Sequence, residues 1–198
     1  PYLDDLTESA RLIGAVNTVL HQDGLLIGHN TDGIGFFKSL ETLRAFHVRH
    51  KRLTILGGGG ASTAIIAQAA IDGAKEITIF CRPQSVERTV VTVQTIAQST
   101  GVSLQVLPNN DSHLLAEHIN NSDLLINGTS VGMDGTSLPL PATIRFPEEL
   151  LVADVIYQPF ETPLLKMANS QGNPTINGLG MLLFQAAEAF ELWTGKEM

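Results

Sequence analysis

Gly57-Gly58-Gly59-Gly60-Ala61-Ser62 lies between the short apolar run Leu53-Thr54-Ile55-Leu56 and the helix-forming stretch Thr63-Ala64-Ile65-Ile66-Ala67-Gln68-Ala69-Ala70, which ends near Gly73. A second apolar run, Ile77-Thr78-Ile79-Phe80, completes a strand–helix–strand unit. In that setting the glycines read as a dinucleotide fingerprint. Gly57 allows the tight turn, Gly59 lets the backbone approach a pyrophosphate, and small Ser62 permits close helix–strand packing. The helix N-terminus behind the loop offers free N–H groups and the positive end of its dipole to phosphates. The alternative is a glycine-rich turn with no ligand, but the strand before the loop and the helix after it both favour the nucleotide.

Outward from this loop, strands and helices alternate, the pattern of a parallel sheet covered on both faces: an α/β, Rossmann-like, doubly wound fold. Asp5 to Ile13 reads as a short helix capped by Thr7 or Asp5, and Val16–Leu20 and Leu25–Gly28 as strands joined through Gln22-Asp23-Gly24, an Asp-Gly hairpin. Gly33 to Phe46 carries Ile34, Phe37, Leu40 and Leu43 at helical spacing. Beyond Arg82 the expectations are helix over Ser85–Ser99, strand over Leu104–Leu107, helix over His113–Ile119, and strands over Leu124–Ile126 and Leu151–Tyr157. Thr162-Pro163 opens a helix with a cap residue and a first-turn proline, and Leu179–Trp193 is a long apolar-faced helix.

Composition narrows the function classes. Twelve basic against 20 acidic residues give a net charge of −8, and without a basic cluster this argues against a nucleic-acid partner. One cysteine excludes an internal disulfide, and the six histidines show no metal-ligand spacing. His47 and His50, beside Arg49, Lys51 and Arg52, read as a solvated basic loop. No apolar stretch is long enough to span a bilayer and no signal peptide is apparent, so no membrane partner is expected and a cytoplasmic enzyme domain fits. A chain beginning at proline hints at a fragment.

Further segments join the glycine loop. Ile13-Gly14-Ala15-Val16-Asn17-Thr18 precedes Asn30-Thr31-Asp32-Gly33; Asn127-Gly128-Thr129-Ser130-Val131-Gly132-Met133 precedes Asp154-Val155-Ile156-Tyr157-Gln158-Pro159 and Thr162-Pro163; Asn177-Gly178-Leu179-Gly180-Met181-Leu182-Leu183-Phe184-Gln185 comes last. In this order and spacing, from about Tyr2 to Gly195, the chain resembles the shikimate dehydrogenase family, including its quinate-using members.

That resemblance implies reversible hydride transfer between 3-dehydroshikimate and shikimate, with a nicotinamide cofactor, in aromatic amino-acid biosynthesis. It also implies a separate α/β substrate domain: residues 1–30 as its remnant, 31–176 as the cofactor domain, and 177–198 as a terminal helix returning to the substrate side. Asn17 would bond substrate hydroxyls, and Asp32 would stand in the acid/base pair beside the reacting hydroxyl. Gln185 would reach into the substrate pocket, and Tyr157 would lie near the substrate carboxylate and the nicotinamide. Thr129, Ser130, Gly178 and Met181 would line the nicotinamide side. The family's catalytic lysine and its carboxylate-gripping Ser and Thr lie upstream of the segment matching Pro1, so these 198 residues are expected to bind nucleotide but to turn over slowly or not at all. Domain closure would hinge at Asn30–Gly33 and Ile176–Gly178. A homodimer is compatible with all of this.

The residue types suit the chemistry. Oxidising a secondary alcohol removes a hydride from carbon and a proton from oxygen, so a positioned acid/base group is needed while the cofactor takes the hydride. A polyhydroxylated ring needs several matched polar groups. Each residue also has a plainer reading: Asn17 or Asn30 in a turn, Asp32 as a helix cap, Gln185 on an amphipathic helix, Tyr157 as a sheet aromatic.

Cofactor choice turns on the end of the second strand. NAD enzymes place an acidic residue roughly 20 residues beyond the glycines. Here the chain reads Phe80-Cys81-Arg82-Pro83-Gln84, with no carboxylate, and Arg82 could pair with a 2′-phosphate or stack on adenine. This favours NADP, with NAD as the alternative, although Cys81 and Pro83 depart from the Asn-Arg-Thr common in NADP-using members. Cys81 itself reads as a small, buried strand-end residue. Three functions stay open: an NADP-dependent shikimate dehydrogenase, a quinate/shikimate enzyme using NAD, or a nucleotide-binding protein that has lost the chemistry.

Overall fold

The structure, a computed structural model, describes residues 2–198; Pro1, first of the expected substrate-domain remnant, lies outside the described residues. Strands β1 (Asp5–Leu6), β2 (Thr18–Gln22) and β3 (Leu25–His29) make a three-stranded sheet in the order β1-β3-β2, with α1 (Glu8–Ile13) between the first two. The hairpin of β2 and β3 turns as the Asp-Gly pair dictates, with φ of 52° at Asp23 and 85° at Gly24. Helix α2 (Asp32–Arg44) leads away from it to a second sheet.

That sheet is built from β4 (Arg52–Leu56), α3 (Gly60–Ile71), β5 (Glu76–Cys81), α4 (Val86–Thr100), β6 (Ser103–Pro108), α5 (Ser112–Asn120), β7 (Leu124–Asn127), β8 (Leu151–Asp154), α6 (Pro163–Ser170) and β9 (Thr175–Ile176), followed by α7 (Leu179–Thr194). Its order is β6-β5-β4-β7-β8-β9, with every neighbouring pair parallel. The chain winds outward from β4 to β6, then returns to the other side of β4 as β7. Open α/β sheets bind ligands at such a switch point, outside the carboxyl ends of the strands.

The strands are buried on both faces, and their period of two divides the core. Leu53, Ile55, Ile77, Ile79, Leu124, Ile126, Leu151 and Ala153 face one apolar layer with α3 and α4, while Leu56, Phe80, Leu125 and Val152 face the other with α5 and α6. Asn127 and Asp154, register partners at the ends of β7 and β8, continue the second face and are almost wholly buried. Across the first layer, α2 packs on α3 and α7. A Cβ at Gly33 would strike the Ala64 carbonyl of α3, and one at Gly35 would strike the backbone of Gln185 in α7.

Several element boundaries differ from those expected. Asp5–Leu6 is a strand, because it adds in parallel to β3, and the helix starts only after Thr7, whose Oγ1 accepts from Ala10 N. The first hairpin strand is shifted to Thr18–Gln22, and the expected strand over Leu151–Tyr157 ends at Asp154, whose own carboxylate takes the Ile156 N–H. The two-residue β9 has no expected counterpart. Helix α2 begins at Asp32 with Thr31 in the cap position, so Asp32 is not the cap; its N–H is accepted by Asn30 Oδ1. Among the described residues no helix is long and apolar enough to cross a membrane, and no His/Cys/Asp/Glu group could hold a metal.

Candidate active site

A cleft of about 440 Å³ opens at the switch point, floored by Gly57, Gly58 and Gly59. Gly57 has φ of +97°, and a Cβ there would stand 2.7 Å from Thr129 Cγ2, so only glycine satisfies both the backbone and the neighbouring loop. At Gly59, which lines the cleft, and at Gly60, exposed beside it, a Cβ would meet nothing within 4 Å. Helix α3 begins at Gly60, and the N–H groups of Gly60, Ala61 and Ser62, in its first turn, have no intrahelical acceptor. They form an anion-binding end whose dipole favours phosphate. Ser62 is fully buried, and its Oγ donates to Gly128 O at 3.2 Å, locking α3 to the end of β7.

On the β5 side the cleft is lined by Arg82, Ser85, Arg88 and Asn109, on the β7 side by Thr129, Ser130 and Val131, and no carboxylate lines it. Of the cofactor residues expected from sequence, Gly57, Gly58, Gly59, Arg82, Thr129 and Ser130 line it directly. Gly60, Ala61 and Ser62 form the adjoining helix turn, and Cys81 is a buried lining residue. Such a cradle fits a dinucleotide carrying an extra phosphate: open N–H groups for the pyrophosphate, and two guanidinium groups near the ribose end with no acid to repel it.

A second group gathers where α2 leaves the small sheet. Asn17 Oδ1 accepts from Thr31 N at 3.1 Å, Thr31 Oγ1 at 3.3 Å and Thr18 Oγ1 at 3.0 Å. Because the Thr31 N–H can only donate, the amide is fixed, and its Nδ2 donates to Asp32 Oδ1 at 2.9 Å. Burial pushes the Asp32 carboxyl above its usual range, and the Asn17 hydrogen bond pulls it partly back. Gly35, one turn further along α2 from Asp32, abuts the backbone of half-buried Gln185.

A third group ties the loops past β7 and β8 together. Asp154, 1% exposed, accepts from Asn127 Nδ2 at 3.1 Å, Ile156 N at 3.0 Å and Thr162 Oγ1 at 2.7 Å. Asn127 Oδ1 in turn accepts from Thr129 N at 3.1 Å and Thr129 Oγ1 at 2.7 Å, while its Nδ2 also donates to Val131 O at 3.0 Å. Gly178 N donates to Ile156 O at 3.0 Å, and a Cβ at Gly178 would strike Val155 O. Tyr157 therefore projects, half-exposed, from a segment held on two sides, whereas Met181 is mostly buried in the core.

Arg88, Ser85 and Asn109, and the buried group of Asp154, Asn127 and Thr162, were not expected from sequence. For Arg88 the available signal was its place one helical turn past the Pro83–Ser85 3-10 turn; for Asp154 it was an acid closing an all-apolar strand.

Residues 178–198 match the family described as the Shikimate 5′-dehydrogenase C-terminal domain. The shikimate dehydrogenase (NADP(+)) of Streptococcus suis is 80% identical over 198 residues, covering 100% of this chain and 68% of that protein. The shikimate dehydrogenase (NADP(+)) of Streptococcus sanguinis is 59% identical over the same 198 residues, covering 100% of this chain and 69% of the relative. The crystal structure of shikimate 5-dehydrogenase from Listeria monocytogenes, in complex with shikimate and NAD, is 45% identical and superposes with a TM-score of 0.94 over 100% of this chain and 69% of that one. With the cleft, the strand order and relatives of this identity along its whole length, the chain belongs to the shikimate dehydrogenase family.

Proposed function

We propose that this protein is an NADP-dependent shikimate dehydrogenase, transferring hydride reversibly between shikimate and 3-dehydroshikimate, and that Asp32, Asn17, Gln185 and Tyr157 form its substrate side. The observation that carries this reading is the Asn17–Asp32 pair. Asn17 is held by three donors so that its NH₂ meets a half-buried carboxylate with a raised pKa. Among the described residues, Asp32 Oδ2 accepts no hydrogen bond, leaving one oxygen for a substrate hydroxyl.

A bound NADP would supply the hydride acceptor for the alcohol carbon. These residues would act together with the upstream lysine, Ser and Thr that the resemblance implies. Asp32 holds the hydroxyl and its proton, Asn17 keeps that carboxylate oriented, and Gln185 bonds a second ring oxygen. The α3 N-terminus would take the pyrophosphate, Arg82 and Arg88 the 2′-phosphate, and Thr129 and Ser130 the nicotinamide end; Gly178, Met181 and Tyr157 join that end on the family resemblance. The absence of any lining carboxylate is what favours NADP over NAD here.

We place the substrate-side remnant at residues 1–30, the cofactor domain at 31–176 and the returning helix at 177–198. The same reading includes a cytoplasmic location, which fits one buried cysteine, and a homodimer, which light scattering of the purified chain would establish or exclude. The decisive experiment follows nicotinamide absorbance with shikimate or quinate, with NADP or NAD, in native and Asp32→Ala protein. Shikimate-dependent NADP reduction that collapses in the variant supports the proposal. Cofactor binding with no turnover on either substrate, in a protein that also carries the upstream part, refutes it.

A further inference from the structure

The Asp154 group does nothing in the chemistry proposed above, yet it is the most completely buried carboxylate in the site region. Burial pushes its pKa up, and three hydrogen bonds oppose that. Three donors converge on it, one from each of the structural pieces it joins: Asn127 at the end of β7, Ile156 just past β8, and Thr162 at the cap of α6. A carboxylate is the only side chain of that size offering acceptors alone, so each donor finds a lone pair without competition. Asn127 passes the constraint on: anchored at Asp154, it grips both the N–H and the hydroxyl of Thr129 and the carbonyl of Val131. Val155 N donates to Asn127 O at 3.0 Å, and Thr162 Oγ1 accepts from Leu165 N at 3.3 Å, which closes the group on both sides.

The arginines occupy the β5 end of the cleft and the α3 N-terminus its middle, which leaves the β7 end for the nicotinamide. We propose that Asp154 is a positioning residue for that end alone: it couples the 127–131 loop to the 155–162 segment, so that Thr129, Ser130 and Tyr157 are set by one buried group. The adenosine end hangs from β5 and α4 and touches none of these bonds. This rests on the cofactor reading above.

Selective ligand loss tests it. The purified chain is titrated with NADPH and, separately, with adenosine 2′,5′-bisphosphate, which carries only the adenosine end. Asp154→Ala removes the acceptor that ties the two segments together, so the nicotinamide end must be ordered on binding and NADPH weakens by about tenfold, or about 1.4 kcal/mol. The bisphosphate affinity stays at the native level. Thr162→Val, which removes one donor and leaves Asp154 Oδ2 unpaired, weakens NADPH in the same selective way but less, and Thr162→Ser restores it. If Asp154→Ala does not fold, the Thr162 pair carries the test. Equal weakening of both ligands, or no change in NADPH affinity, overturns the proposal. Failure of the native chain to bind either ligand refutes the cofactor reading itself, and Asp154's role falls with it.

Discussion

Replacing Gly35 with alanine probes the contact on which the substrate side depends. A Cβ at that position would lie 2.8 Å from Gln185 Cα and 2.9 Å from Gln185 Cβ, and closer still to its backbone nitrogen. These are mostly backbone atoms of α7, so no side-chain rotation relieves them and the helices must part by several tenths of an ångström. Overpacking of this kind costs about 3 kcal/mol, at the upper end of its usual range. Alanine is favoured over glycine inside a helix by about 1 kcal/mol, which offsets part of that. A net loss of about 2 kcal/mol corresponds, for a domain of this size, to a fall of roughly 4–8 °C in Tm. Thermal unfolding followed by far-ultraviolet circular dichroism reads this directly. The same displacement moves Gln185 relative to Asp32, so shikimate KM should rise with NADP affinity held. An unchanged or higher Tm would refute the reasoning, since it would mean that α2 and α7 are not in backbone contact at Gly35.

Gly59→Ala should behave in the opposite way: its Cβ meets nothing, so Tm changes little, while NADPH binding weakens because the methyl enters the cleft that Gly59 lines; isothermal titration alongside the melting curve checks both. Arg82→Ala and Arg88→Ala should each weaken NADPH by about tenfold or more, the range for a lost charged hydrogen bond, and leave NADH affinity unchanged; equal losses for the two cofactors would exclude a 2′-phosphate contact. Asp32→Asn keeps an oxygen for Asn17 Nδ2 but removes the half-buried charge. Because the folded pKa of Asp32 is raised, the native state binds the proton more tightly than the unfolded chain, and this group's stabilising share is lost as pH rises through its folded pKa. The variant should therefore melt above native protein at about pH 7, with the gap closing toward about pH 4. A gap that widens on acidification would reverse the assigned sign.

The elements legible in the sequence are those whose signal is local. The glycine loop could be read because the strand before it and the helix after it carry their own periodicity, and the hairpin because Asp23-Gly24 encodes its turn within two residues. What was not legible depends on partners distant in sequence. Strand β9 is two residues long and exists because Thr175 pairs with Val152, with Arg44 of α2 donating to its carbonyl; nothing in Thr175-Ile176 alone announces it. The run Leu151 to Tyr157 has the composition of one strand, but the carboxylate of Asp154 withdraws the Ile156 N–H from the ladder and turns the chain. In the site, Arg82 could be assigned from its offset to the glycines, whereas Arg88 reaches the same cleft only because the 3-10 turn at Pro83–Ser85 sets the rotation of α4. Asp32 is the instructive case. Taken alone it reads as a helix cap, yet Thr31 takes the cap position and Asn30 Oδ1 takes the Asp32 N–H, so the carboxylate is released from local duty. A carboxylate free of capping duty, half-buried and oriented by a fixed amide, suits the acid/base role proposed for Asp32, and Asn30 and Thr31 produce that state from the neighbouring backbone.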